Sequence, residues 1–126
     1  MYSLGVLGEF EAAVHMVGDF GDACRLHGHT YQVEVVLRGK KDQRRGVVYD
    51  IGLLKEELDR VLKVLHYYHL NELKPFKDIN PTVENIAEYI FHQLTPKLST
   101  ESNLEDLCVK VWENSFAYAV FDGSLR

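Results

Sequence analysis

The sequence predicts an α+β domain: an antiparallel sheet with two helices packed on one of its faces. Three observations carry this. Segments near both ends alternate apolar and polar residues with a period of two. The middle holds two amphipathic stretches of helical period. The order is therefore strands, helix, helix, strands. The chain has 126 residues, 46% of them hydrophobic, which suits one compact domain over residues 1–126 with a real core.

Residues 2–16 alternate as a strand, with Tyr2, Leu4, Val6, Phe10, Ala12 and Val14 on one face. "GDFGDA" is a Gly/Asp loop. Residues 29–38 form a second strand. "GKKDQRRG" connects it to a short apolar "VVY", and these segments together read as antiparallel strands. Asp50 is placed as an N-cap. After it Ile51, Leu54, Leu58, Val61, Leu62 and Leu65 follow at helical spacing. "KPFKDINP" breaks the chain. Thr82 then caps a second helix carrying Val83, Ile86, Ala87, Ile90, Phe91 and Leu94 on one stripe, and Pro96 ends it. "DLCVKVWE" and "FAYAVF", joined by "NS", form a closing hairpin.

Composition narrows the function classes. A formal net charge of −5 argues against a sequence-independent nucleic-acid binder. No apolar run approaches a membrane span. "MYSLGVLGEFEAAVHM" lacks the basic start and apolar run of a signal peptide, so a reducing cytoplasm is the expected setting. Cys24 and Cys108 leave room for at most one disulfide.

Two features depart from a plain core pattern. In "CRLHGHTYQVEV", His27 and His29 continue the parity of Tyr31, Val33, Val35 and Leu37. Residues two apart in a strand point the same way, so both imidazoles can reach one metal ion. Imidazole nitrogen suits Zn²⁺, and a catalytic zinc takes three protein ligands with one position open. An isolated H-x-H is equally a surface pair, but unpaired imidazoles on an apolar face are costly. His15 is the natural third ligand. Its parity is odd where the apolar residues of its strand are even, so it joins only if a β-bulge between Phe10 and His15 turns it inward. The second feature is Glu113, which ends the row Leu107, Val109, Val111. It is either the solvated end of a strand or a partly buried carboxylate that takes two parallel N–H donors of a ligand, as it would a guanidinium. The 2-amino and ring N–H edge of a pterin has that geometry.

These residues resemble the 6-pyruvoyl and 6-carboxy tetrahydropterin synthase family along essentially the whole chain. "EFEAAVH" is similar to its F-x-A-A-H. "CRLHGHTYQVEV" resembles its cysteine followed by H-G-H-x-Y, and "GVVYDIGLLK" its G-x-V-x-D-[FI]-x-x-L-K helix entry. "LHYYHLNEL" stands where the family has L-D-H-x-x-L-N. "NPTVENIAEYI" is similar to P-T-x-E-N, and "VKVWEN" to the strand with the pterin-anchoring glutamate. The resemblance implies a tunnelling fold, a four-stranded antiparallel sheet with two helices, whose trimers close a barrel and stack in pairs into a hexamer. It implies zinc on His15, His27 and His29, and a pterin held by Glu113 near Thr82 in a pocket between subunits. The implied substrate is 7,8-dihydroneopterin triphosphate. The product expected from the resemblance is 6-carboxy-tetrahydropterin, on the route to deazapurines such as queuosine, with 6-pyruvoyl tetrahydropterin as the alternative. The implied base is a cysteine thiolate, here Cys24, assisted by an Asp-His pair.

The chain departs from the pattern in three places. "FEAAVH" is one residue longer than F-x-A-A-H, so an ungapped match puts Val14 at the ligand position. Cys24 stands three residues before His27, closer than in related sequences. His66 and Tyr67 replace Asp and His. His66 or His69 can shuttle protons near neutral pH, or can simply favour a helix end. A pterin-binding homologue without lyase activity is the rival reading from another class.

Overall fold

The computed structural model describes all 126 residues. Strands β1 (Tyr2–Val14) and β2 (His27–Gly39) lead into helices α1 (Ile51–Leu65) and α2 (Val83–Leu98). β3 (Leu104–Asn114) and β4 (Ala117–Ser124) close the chain. The sheet is an antiparallel meander in the order β1-β2-β3-β4. α1 lies over β1, and α2 over β3 and β4. No helix is long and apolar enough to cross a membrane.

The period-two pattern becomes the core directly. Phe10, Val14, Val33, Val35, Leu37, Leu107, Val109 and Val111 are fully buried, facing Leu54, Leu58, Ile86 and Ile90 of the helices. Both caps form as the sequence predicts: Asp50 Oδ1 accepts from the Leu53 N–H at 3.1 Å and Thr82 Oγ1 from the Asn85 N–H at 3.1 Å. Both cysteines are free.

Strand ends shift by a few residues, β1 closing at Val14, and three differences matter more. β2 begins at His27, so both histidines belong to the strand. Residues 47–49 are not a strand. Tyr49 leaves the sheet to donate its hydroxyl to the buried Glu57 at 2.7 Å, and Lys97 meets the same carboxylate oxygen at 2.8 Å. Pro96 does not end α2, which continues to Leu98. The proline falls in the last turn, where its missing N–H forfeits one bond, and the stranded His92 carbonyl is approached by Thr95 Oγ1 at 3.5 Å.

After α1 the chain turns through Tyr67, the one non-glycine residue with positive φ, at 65°. Helix ends usually give such a position to Gly or Asn. Left-handed backbone costs an L-residue about 1–2 kcal/mol, while glycine's extra unfolded-state freedom costs about 0.5–1. Tyr67→Gly is therefore expected to stabilise the fold by about 0.5–1 kcal/mol. Urea denaturation checks this, and a destabilised variant would show that the Tyr67 ring, stacked on His66 at 3.9 Å, outweighs the strain.

Candidate functional site

The odd-numbered face of β2 carries a ladder of rings. His27 and His29 meet edge to face at 4.9 Å between centroids, and His29 meets Tyr31 at 5.4 Å. Tyr31 is buried and lies flat on Phe10 of β1 at 4.8 Å, which anchors the ladder in the core. His27 Nδ1 donates to the Arg25 carbonyl at 2.7 Å, leaving Nε2 for another partner. His29 Nε2 is buried and makes no hydrogen bond. It lies 3.2 Å from Glu113 Oε1, without hydrogen-bond alignment. Burial pulls the His29 pKa below the usual imidazole value. Glu113 opposes that shift and His27 adds to it, so the ring is neutral at neutral pH.

Glu113 follows Val111, the partner of Val33, by two residues, so strand parity alone turns it to the face that carries His29. The β3–β4 register shifts between Trp112 and Asn114: Trp112 pairs with Tyr118, but Asn114 pairs with Ala117. Glu113 stands at that irregularity, just beyond the residues of β3 that pair with β2. The shift lies in β3, and β1 has none. Glu113 is 31% exposed, and its charge, after burial, helps hold the Tyr31 phenol protonated well above its usual range.

Two cavities meet at Gly28, His29 and Thr30. One, of about 480 Å³, is lined also by Gln32, Trp112 and Glu113. The other, of about 580 Å³, is lined also by Glu11, Tyr67, Tyr68 and His69. Segment 66–69 is held there by pairing along the outer edge of β1. Tyr67 N–H donates to the Glu11 carbonyl at 2.7 Å and Ala13 N–H to the Tyr68 carbonyl at 3.0 Å. Tyr67, Tyr68 and Glu11 were not among the expected site residues. Their placement depends on contacts more than fifty residues apart in sequence.

His15 does not join His27 and His29. β1 and β2 stay in register from Tyr2↔Gly39 to Val14↔His27, with no bulge between Phe10 and His15. The alternation then continues past the strand. His15 N–H donates to Asn71 Oδ1 at 2.9 Å and its carbonyl accepts from Asn71 Nδ2 at 2.8 Å. Asn80 holds Val17 the same way, at 2.8 and 3.0 Å. Met16 N–H points the other way, to Ala23 at 2.9 Å. Val14 and Met16 are buried, so His15 and Val17 belong to the opposite face. The His15 ring instead meets His69, Nδ1 to Nε2, at 2.9 Å, and His69 Nδ1 lies 3.6 Å from Glu72. No three His, Cys, Asp or Glu side chains converge for a metal ion. His27 and His29 have the chemistry of a metal-ligand pair; the three-histidine set does not fit.

The remaining expected residues are dispersed. Cys24 ends the 3₁₀ turn Gly21–Cys24 as an exposed thiol donating to the Gly18 carbonyl at 3.3 Å. His66 Nδ1 accepts the Glu11 N–H at 3.1 Å, which makes it part of the edge pairing. Thr82 spends its hydroxyl on capping α2, and neither it nor Cys24 lines the two cavities.

The antiparallel meander with two helices on one face, and a carboxylate set beside a strand-borne histidine pair, agree with the family resemblance in the sequence. The chain belongs to the 6-pyruvoyl tetrahydropterin synthase family, whose model matches residues 4–124. The solved 6-pyruvoyl tetrahydropterin synthase of Caenorhabditis elegans superposes with a TM-score of 0.83 at 30% identity, over 98% of this chain and 96% of that one. A dihydroneopterin monophosphate aldolase of Pyrococcus furiosus is 37% identical over 71% of this chain and 72% of that protein. A 6-carboxy-5,6,7,8-tetrahydropterin synthase of Rickettsia bellii is 28% identical over 83% and 88%. The fold is the tunnelling fold that the sequence resemblance implied.

Proposed function

We propose that the chain is a lyase acting on the side chain of 7,8-dihydroneopterin triphosphate, with 6-carboxy-tetrahydropterin as product. The observation that supports this most is Glu113, which lines a cavity beside a half-buried His29. Its two oxygens accept the parallel N–H donors of the pterin edge. His29 and Thr30 lie where this cavity meets its neighbour, so a side chain extending from the ring passes over them. Cys24 is the base in this reading. Its turn is tied to the end of β1 by the bond from Met16 N–H to the Ala23 carbonyl, three residues before His27. His69, between His15 and Glu72, supports proton movement from the neighbouring cavity. His27 and His29 are the residues that would hold a zinc ion, which would supply Lewis acidity toward the hydroxyls of the ligand's side chain.

The assembly is a hexamer of two stacked trimers in the cytoplasm. The outer edge of β4 is unpaired, and a free edge favours pairing with another copy. Thr82 reaches a pterin only from a neighbouring subunit in this arrangement.

A second reading is a pterin-binding homologue without lyase activity. It is favoured by His66, whose Nδ1 is committed to the backbone of Glu11 and which brings no carboxylate to orient a partner imidazole. The Pyrococcus relative adds a third outcome, cleavage of the side chain as an aldolase. Single-turnover rates separate the first two. Cys24→Ala is expected to slow product formation by about a hundredfold or more while pterin still binds. An unchanged rate would make the thiol a bystander. A parent protein that binds pterin without turnover would establish the second reading.

A further inference from the structure

The β1 residue that faces the histidine pair is Val14. It pairs directly with His27 and is fully buried on the same side of the sheet. Residues directly opposite in an antiparallel pair have Cβ atoms about 4.5–5.5 Å apart, close enough for two imidazoles to share one metal ion. The other inward residues of this segment are Ala12 and Met16, so the row offers no nitrogen or oxygen donor. His15 is excluded by two independent features. Its backbone is fixed in extended parity by both arms of the Asn71 amide, and its ring is engaged by His69 at 2.9 Å. Turning it inward requires a one-residue slip that would break the Asn71 and Asn80 pairings and expel Val14 or Met16 from the core. Glu113 touches His29, but it does not complete a three-donor group with His27.

We infer that this chain lacks the β1 metal ligand: His27 and His29 are its only histidine ligands, His15 is not a ligand, and the vacant ligand position is Val14. The inference rests on the reading of His27 and His29 as the metal-holding residues. A site with two imidazoles holds Zn²⁺ loosely, because structural and catalytic zinc sites draw on three or four protein donors. It also follows that one substitution restores the missing donor. An imidazole at position 14 would project from the strand on the same side as those of His27 and His29.

The test is a titration with Co²⁺ as a spectroscopic substitute for Zn²⁺, backed by zinc content after dialysis. It compares the parent, His27→Ala, His15→Ala and Val14→His. His15→Ala should bind as the parent does, and His27→Ala should lose what binding there is. Val14→His should bind more tightly by about a hundredfold or more, beyond what a merely supporting contact is worth, with a stronger visible band of tetrahedral cobalt. If His15→Ala falls as far as His27→Ala, His15 is a ligand and the inference is overturned. If Val14→His keeps its fold by circular dichroism but gains nothing, the position is wrong. Should that buried substitution fail to fold, His15→Ala against His27→Ala decides alone. If His27→Ala retains all the binding of a parent that does bind, the metal lies elsewhere, and the underlying reading fails together with the inference.

Discussion

Glu113→Gln is expected to weaken pterin binding by about 2–4 kcal/mol, because it removes a charge-assisted bond and leaves a buried donor of the ligand facing an amide N–H. The effect is large because of where the carboxylate sits. Leu107, Val109 and Val111 precede it on a fully buried row, and the carboxylate that ends the row lines a cavity beside His29. Glutamine has the same size, so packing is preserved and the change reports the chemistry of the contact. Calorimetric titration of both forms with neopterin measures it. Equal affinities would move the anchor away from Glu113.

Phe10→Ala should cost about 3–5 kcal/mol of folding stability, the range for deleting a fully buried aromatic ring. Phe10 has no exposed surface and lies nearly parallel to its cross-strand partner Tyr31, 14° between planes. Tyr31 in turn borders His29. The cavity left by the substitution would therefore loosen the base of the histidine ladder as well as the core. Urea denaturation with an unchanged m-value and the expected loss would agree with this. A loss below about 1 kcal/mol would mean that the neighbouring side chains collapse into the space, as some core sites permit.

Most of the framework was legible because it depends on local rules. Period two placed His27, His29 and Glu113 on the same face as the core residues before any fold was known, and that parity holds in the sheet. Asp50 and Thr82 cap the helices they were assigned to, since capping is settled within three residues. What failed depended on long-range partners. The side of the sheet on which His15 lies turns on a single-residue slip. It is decided by Asn71 and Asn80, 56 and 63 residues from the backbone positions they hold. Sequence reading allowed a bulge in β1; the structure has one at Glu113, where the short β3–β4 connection shifts the register. Pro96 was read as a stop because an interior proline breaks helices, yet in a last turn it forfeits only one bond. Tyr67 and Tyr68 became visible as cavity residues only once segment 66–69 was seen to pair with β1.

The same contrast bears on activity. The residues that support ligand recognition, Glu113 and His29, lie together, whereas those assigned to proton transfer are spread over a 3₁₀ turn, a helix end and the outer edge of β1. Recognition is thus the more firmly built half of the site. In the proposed reaction, Cys24 and His69 must converge on a bound ligand. Incubation of the purified protein with 7,8-dihydroneopterin triphosphate, with all products identified by mass, tests the central claim most directly. The account predicts conversion to 6-carboxy-tetrahydropterin, abolished in Cys24→Ala. Recovery of unchanged substrate from a protein that binds it would contradict the lyase assignment, and so would a product whose side chain had been cleaved as an aldolase cleaves it.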